Sequence, residues 1–178
     1  DRARALDCAS WGALYWLKRA MLVENEKADM ESRSAIVNAK RCLGYADRHF
    51  KTVWRYQTPD GRTGTIRGYR PYDGLIDDLR YMGGPQQGEM IDWNDLDNMV
   101  WSEGTIGVAM AWEGLFALTG GSGAKSKYMD IYQEMLELQT LSDKGGMLYS
   151  TVQLKGHFTM GEELASLSWM GYLSSIVD

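Results

Sequence analysis

Carboxylates and tryptophans crowd one stretch of this chain. Asp92, Asp95 and Asp97 stand around Trp93, and Trp101-Ser102-Glu103 then leads straight into an apolar run ending at Leu118. Carboxylates do general acid–base work when a substrate reaches them. Trp offers a flat apolar body with a polar edge, which suits a sugar-stacking cleft and equally a core or an interface. Ser102 is expected to cap the helix, its hydroxyl accepting from first-turn N–H groups, and Glu103 then lies at the positive end of the helix dipole. The same pattern, acid at the start of an apolar run, recurs at Asp7 and at Glu162 with Glu163. Dipole and capping preferences alone also place acids there, so a structural role stands beside the chemical one at each position. Tyr69, Arg70, Tyr72 and Asp73 would suit a binding rim, or equally an ordinary packed strand end.

Other chemistries find little support. The 92–97 acids lack the glycine and terminal Glu of a calcium loop, so no metal is assigned, and no cofactor is implied. Residues 120–126, GGSGAKS, lack the Gly-Lys-Ser/Thr ending of a phosphate loop and follow a helix, not a strand. His49 and His157 are isolated, and no Ser/His/Asp or Cys/His arrangement emerges. Cys8 and Cys42 fit no metal spacing; they are read as a single bridge or two buried thiols. The net charge of −5 argues against a general nucleic-acid role. No apolar run is long enough to cross a bilayer, and no secretory signal is visible, but the chain starts at Asp1 without Met and its compartment stays open.

The elements that must position these groups follow from periodicity. Residues 7–22, 102–118 and 161–177 are apolar on nearly all sides and are expected to be buried helices; residues 32–50 and 125–141 carry one apolar stripe each and are expected to be surface helices. Residues 52–69 predict a β-hairpin turning at Pro59-Asp60-Gly61. Residues 70–91 are irregular with a short helical piece at 75–81, and 147–152 have β character. Buried and one-sided helices therefore alternate, a degenerate helical-hairpin repeat. The fold expected is dominated by α-helices: an (α/α) toroid or a segment of one, with short β-hairpin insertions, forming a single domain over 1–178 that belongs to a larger ring or assembly. The unpaired last helix predicts an apolar flank, exposed or covered by a partner chain or a further segment.

Trp101-Ser102-Glu103-Gly104-Thr105, followed by Gly107, Ala109 and Ala111, resembles an inner-helix motif of bacterial six-hairpin (α/α) toroid proteins of the glycosidase-like superfamily. Leu6-Asp7 with Ser10-Trp11-Gly12 is similar to the start of another inner helix, and residues 145–151, GGMLYST, to the loop before a following one. The resemblance implies a cleft at the N-terminal ends of the inner helices, a carbohydrate partner and an extracytoplasmic or secreted protein. It implies an inverting glycoside hydrolase, with Glu103 as general acid and Asp7 or Asp97 as base, because glycoside hydrolysis needs two carboxylates across the scissile bond. Trp11, Tyr69, Arg70, Tyr72, Asp73, Trp93, Trp101 and Tyr149 are the expected substrate-binding side chains. Two alternatives stand beside it: a non-catalytic glycan- or protein-binding subunit, and a polysaccharide lyase using Tyr69 and Arg70, or Tyr149.

Overall fold

The computed structural model describes residues 4–22, 28–73, 97–152 and 160–175. These hold five helices, α1 (Leu6–Met21), α2 (Ala28–His49), α3 (Ser102–Thr119), α4 (Ser122–Gln139) and α5 (Leu164–Ser174). Short strands pair antiparallel in twos: β1 (Arg4–Ala5) with β4 (Tyr72–Asp73), β2 (Lys51–Gln57) with β3 (Thr63–Tyr69), and β5 (Met147–Leu148) with β6 (Glu162–Glu163). The helical piece expected at 75–81, and Asp92, Trp93 and Asp95, lie outside the described residues.

α3 is the middle of a row, with α1 on one side and α5 on the other, while α2 packs behind α1 and α4 behind α3. The one-sided stripes bury as their spacing requires: Ala35, Ala39, Leu43, Ala46 and Phe50 on or just after α2, and Tyr128, Ile131, Met135 and Leu138 on α4. Each large apolar side chain so buried contributes roughly 1.5–3 kcal/mol. α3 is buried along most of its length, through Ile106, Val108, Ala109, Ala111 and Leu115.

α1 and α5 both carry exposed aromatics. Leu6, Ala13 and Leu17 are buried, but Trp11 is 64% exposed and Tyr15 60%; on α5, Met170 and Leu173 are buried while Trp169 and Tyr172 are 37% and 52% exposed. Among the described residues both helices end the row, each with α3 on one side. All-round apolar sequence there leaves aromatic flanks in solvent; on α5 this is the apolar flank expected of the unpaired last helix, and on α1 it departs from the buried helix expected.

Small residues let α1 approach α3. A Cβ on Gly104 would meet the Trp101 ring at 2.4 Å and Leu6 Cδ2 at 2.8 Å; one on Gly114 would meet Leu17 Cδ1 at 3.3 Å. The start of α3 is fixed by backbone bridges from two remote segments. Trp101 N donates to the Tyr69 carbonyl (3.0 Å), Ser102 N to the Tyr149 carbonyl (3.0 Å), and Thr151 N to the Val100 carbonyl (3.0 Å). Ser102 is not the N-cap: it is the first residue of α3, and its hydroxyl donates to the Leu148 carbonyl. Buried Thr105 Oγ1 accepts from Tyr69 N at 3.0 Å. At the other end, Gly120 closes α3 in the left-handed region (φ 65), its N–H reaching the Phe116 carbonyl, and α4 starts at once.

The hairpin pairs from Lys51↔Tyr69 to Gln57↔Thr63. Gly61, at φ 86 in its connection, takes a conformation that L side chains resist. At the chain's start, Leu6 N donates to the Pro71 carbonyl (2.8 Å), which anchors the first turn of α1 to the β4 end.

Candidate functional site

The first turns of α1 and α3 open on one cavity of about 140 Å³, lined by Asp7, Ser10, Trp11, Leu14, Trp101, Glu103, Gly104, Gly107, Met110 and Trp169. Two carboxylates on adjacent helices thus share one concave surface with three tryptophans. Gly107 keeps it open, since a Cβ there would find nothing nearer than Ser10 Oγ at 3.8 Å. Burial against the cavity wall pushes the Asp7 carboxyl above its ordinary value, although its side chain still reaches solvent. Glu103 is half-buried in the same wall. Tyr72, paired opposite Ala5, lies close enough to Asp7 that burial and then the Asp7 charge push its phenol up. Tyr149 meets the edge of Trp101, with ring centroids 6.4 Å apart.

Asp7, Glu103, Trp11 and Trp101 are therefore brought together, with Tyr72 and Tyr149 as neighbours. Among the other assigned residues, Asp97, Arg70, Asp73 and Tyr69 lie outside that cavity. Asp97 is ion-paired with Arg70, whose second terminal nitrogen reaches Asp73 Oδ1 (3.2 Å) and the His49 carbonyl (3.1 Å). Asp73 also accepts from or pairs with His49 Nδ1 at 2.9 Å and Arg4 Nη1 at 3.4 Å. This network ties β1, β4 and the end of α2, so Asp97, Arg70 and Asp73 hold the frame, and His49 is not isolated. Tyr69 is buried, with its hydroxyl on Asp47; burial and that carboxylate push the phenol far up. Glu162 is not in a helical first turn: it lies on β6 and accepts from the Ser142 hydroxyl. Trp93 lies outside the described residues.

Sequence reasoning did not name Trp169 as a site residue. Its placement on the flank of the last helix was visible, but nothing in a one-dimensional pattern says that α5 leans across the mouth opened by α1 and α3. Cys8 and Cys42 are both free thiols, Cys8 exposed and Cys42 partly covered. Among the described residues no group of three or more His, Cys, Asp or Glu is placed to hold a metal ion, and no helix is long and apolar enough to cross a membrane.

A larger cavity, about 260 Å³, lies between the β2–β3 hairpin and α4. Most of the charges on and beside it are paired. Glu134 takes the Arg67 backbone N–H (2.8 Å) and guanidinium (2.9 Å), and Asp47 takes Lys127 (2.7 Å) and Lys51 (3.3 Å). It is a salt-bridged seam between hairpin and helix.

No protein-family model, no curated protein and no solved structure matches this chain.

Proposed function

We propose that the chain is a carbohydrate-active segment of an (α/α) toroid, with α1, α3 and α5 as inner helices, and that it acts as a glycoside hydrolase through Asp7 and Glu103. The observation that carries the reading is the convergence of both carboxylates, from neighbouring helix starts, on one cavity walled by Trp11, Trp101 and Trp169. Glycosidases work with one protonated and one ionised carboxyl flanking the bond. Burial moves Asp7 in the direction a general acid needs. Asp7 therefore takes the acid role that the sequence suggested for Glu103, and Glu103 takes the role of base. Asp97, held by Arg70 outside the cavity, drops out.

A screen of polysaccharides for reducing-end release tests this. Asp7→Asn and Glu103→Gln should each lower release by ~10²–10⁴-fold at unchanged helicity, the range for loss of a general acid or base. Release that is unchanged in both variants rejects the assignment.

A second reading, a non-catalytic glycan- or protein-binding subunit, is favoured by the exposure of Trp11 and Tyr15 on α1 and Trp169 and Tyr172 on α5. Binding without release, lost in Trp11→Ala, would select it. The lyase reading loses Tyr69 and Arg70, both engaged in the frame.

A further inference from the structure

We propose that Lys51 is a nucleophilic amine: at the cavity between the β2–β3 hairpin and α4 it condenses with a small uncharged aldehyde to form a Schiff base. The site is separate from the Asp7–Glu103 cavity and does not depend on the carbohydrate reading.

Geometry carries the argument. Lys51 opens β2 and lines the cavity of about 260 Å³ together with Lys127 of α4. Both side chains lean on one oxygen, Asp47 Oδ2, Lys127 at 2.7 Å and Lys51 at 3.3 Å. Their nitrogens therefore lie no more than about 6 Å apart, the sum of those two distances. The other Asp47 oxygen accepts from the Tyr69 hydroxyl. One carboxylate cannot neutralise two ammonium ions, and it is shared unequally. Lys127 has the shorter bond to Asp47 and the added field of Asp130, and its amine is raised. Lys51 has the longer contact; burial, and then Lys127 beside it, push its amine below the ordinary value against the pull of Asp47. Desolvation and a neighbouring cation are the two means by which a lysine becomes a nucleophile at ordinary pH. Arg67 on β3 and Glu134 on α4 pair with each other at 2.9 Å. Lys51, Lys127 and Arg67 are thus matched in number by Asp47, Asp130 and Glu134, so the cavity has no net charge to draw an ion. Val53 and Ile131 supply apolar wall. The volume, about 260 Å³, is roughly nine times the ~30 Å³ share of one water molecule in the liquid, room for a chain of a few carbons. The Lys51 side chain is 48% exposed, so a carbonyl compound can reach it. In the condensation the amine lone pair forms the N–C bond to the carbonyl carbon. The carbonyl oxygen leaves as water with the two amine hydrogens, and nothing is oxidised or reduced.

The test is reductive labelling of the folded chain with butanal and cyanoborohydride, with uptake at each lysine read by peptide mass spectrometry. At neutral pH Lys51 should label several-fold faster than Lys18, Lys40, Lys125 and Lys144. Lys127, in the same cavity, should lag behind them, an outcome that accessibility alone does not produce. The Lys51 advantage should shrink as pH climbs towards the ordinary lysine value, about 10.4, where the others lose their protons too. Lys127→Met keeps most of the stem and removes the cation, so at native circular dichroism it should bring Lys51 down to the common rate. The pH series on the unaltered chain needs no variant and guards against loss of folding. Glyoxylate, an anionic aldehyde, should show a smaller Lys51 preference than butanal. Lys51 labelling at the common rate, or fast labelling that Lys127→Met leaves unchanged, overturns the proposal. A greater preference for glyoxylate overturns the uncharged class. None of these results touches the Asp7–Glu103 assignment.

Discussion

Gly104 is the position where the packing of α1 on α3 can be tested most sharply. An alanine Cβ there would lie 2.4 Å from Trp101 Cε3, 2.6 Å from Cζ3 and 2.8 Å from Leu6 Cδ2. The Trp101 atoms belong to a rigid ring, and Leu6 Cδ2, the end of its side chain, has no open space to move into. Leu6 is fully buried, and Trp101 is held by its backbone bonds to the hairpin and by its bridge to Ser150. Overpacking of this kind costs about 1–3 kcal/mol. Against it stands the better helix propensity of Ala over Gly, about 1 kcal/mol. Gly44, inside α2, is the control, because a Cβ there meets nothing within 4 Å. Gly44→Ala should therefore stabilise by up to ~1 kcal/mol, while Gly104→Ala should destabilise. The difference between them isolates the clash, ~1–3 kcal/mol. A chain of this size moves roughly 2–4 °C in Tm per kcal/mol, so thermal unfolding followed by circular dichroism separates the two by several degrees. Equal rises in Tm for both variants would refute the close approach of Trp101 and Leu6 to the helix backbone.

Further outcomes follow from particular contacts. Thr105→Val removes the only acceptor described for the Tyr69 N–H and should cost about 1–3 kcal/mol, the price of an unmet buried donor, read as a lower urea midpoint at unchanged slope. Gly107→Ala meets nothing nearer than 3.8 Å, so it should leave Tm level or raised yet weaken saccharide binding by filling the cavity; a variant that binds normally would count against ligand entry there. Asp7 and Asp47 should respond to pH with opposite signs. Burial raises Asp7, so its contribution is full below the ordinary Asp value and is lost as pH climbs through the raised one. Asp7→Asn should therefore look progressively more stable, relative to the parent, from about pH 3 to 7. Burial works upward on Asp47 too, but bonds from Lys127 and Tyr69 and the charge of Lys51 outweigh it, and the carboxyl is lowered. Its stabilisation is present above the ordinary value and fades as pH falls through the lowered one, so Asp47→Asn should hurt most at neutral pH, and parallel pH profiles for the two variants would contradict these environments.

What was legible in the sequence was periodic. The stripes of α2 and α4 and the hairpin of β2 and β3 each carry their own burial pattern, so position along the chain decided position in the fold. The shared cavity was half legible: acids at helix starts named Asp7 and Glu103, and neighbouring aromatics named Trp11 and Trp101. What failed was context. Apolar composition on α1 reads the same whether a neighbour covers the helix or solvent does, and Trp11 shows that solvent does, whereas the exposed flank of α5 followed from its unpaired place at the end of the repeat. Ser102 has a capping residue's chemistry, yet a carbonyl from residue 148 took its hydroxyl. Arg70 and Asp73 have the composition of a binding rim and Asp97 that of a catalytic base, but charges that meet opposite charges nearby become framework.

The bridges at residues 100–102 bear on when the site comes into being. Val100 N finds its acceptor 51 residues away at Thr151, and Thr105 serves Tyr69 across 36. Closing such loops costs entropy before any contact rewards it, so pairings this remote form late compared with helical hairpins. The α1–α2 pair and the β2–β3 hairpin can form from local sequence. The first turn of α3, with Glu103 and Trp101 on it, acquires its orientation only once the hairpin and the segment before α5 have both arrived. A chain stalled short of that moment would hold its helices and both carboxylates, and have no cavity for them to share. If the proposed function holds, ligand affinity is a stricter measure of complete folding than helicity.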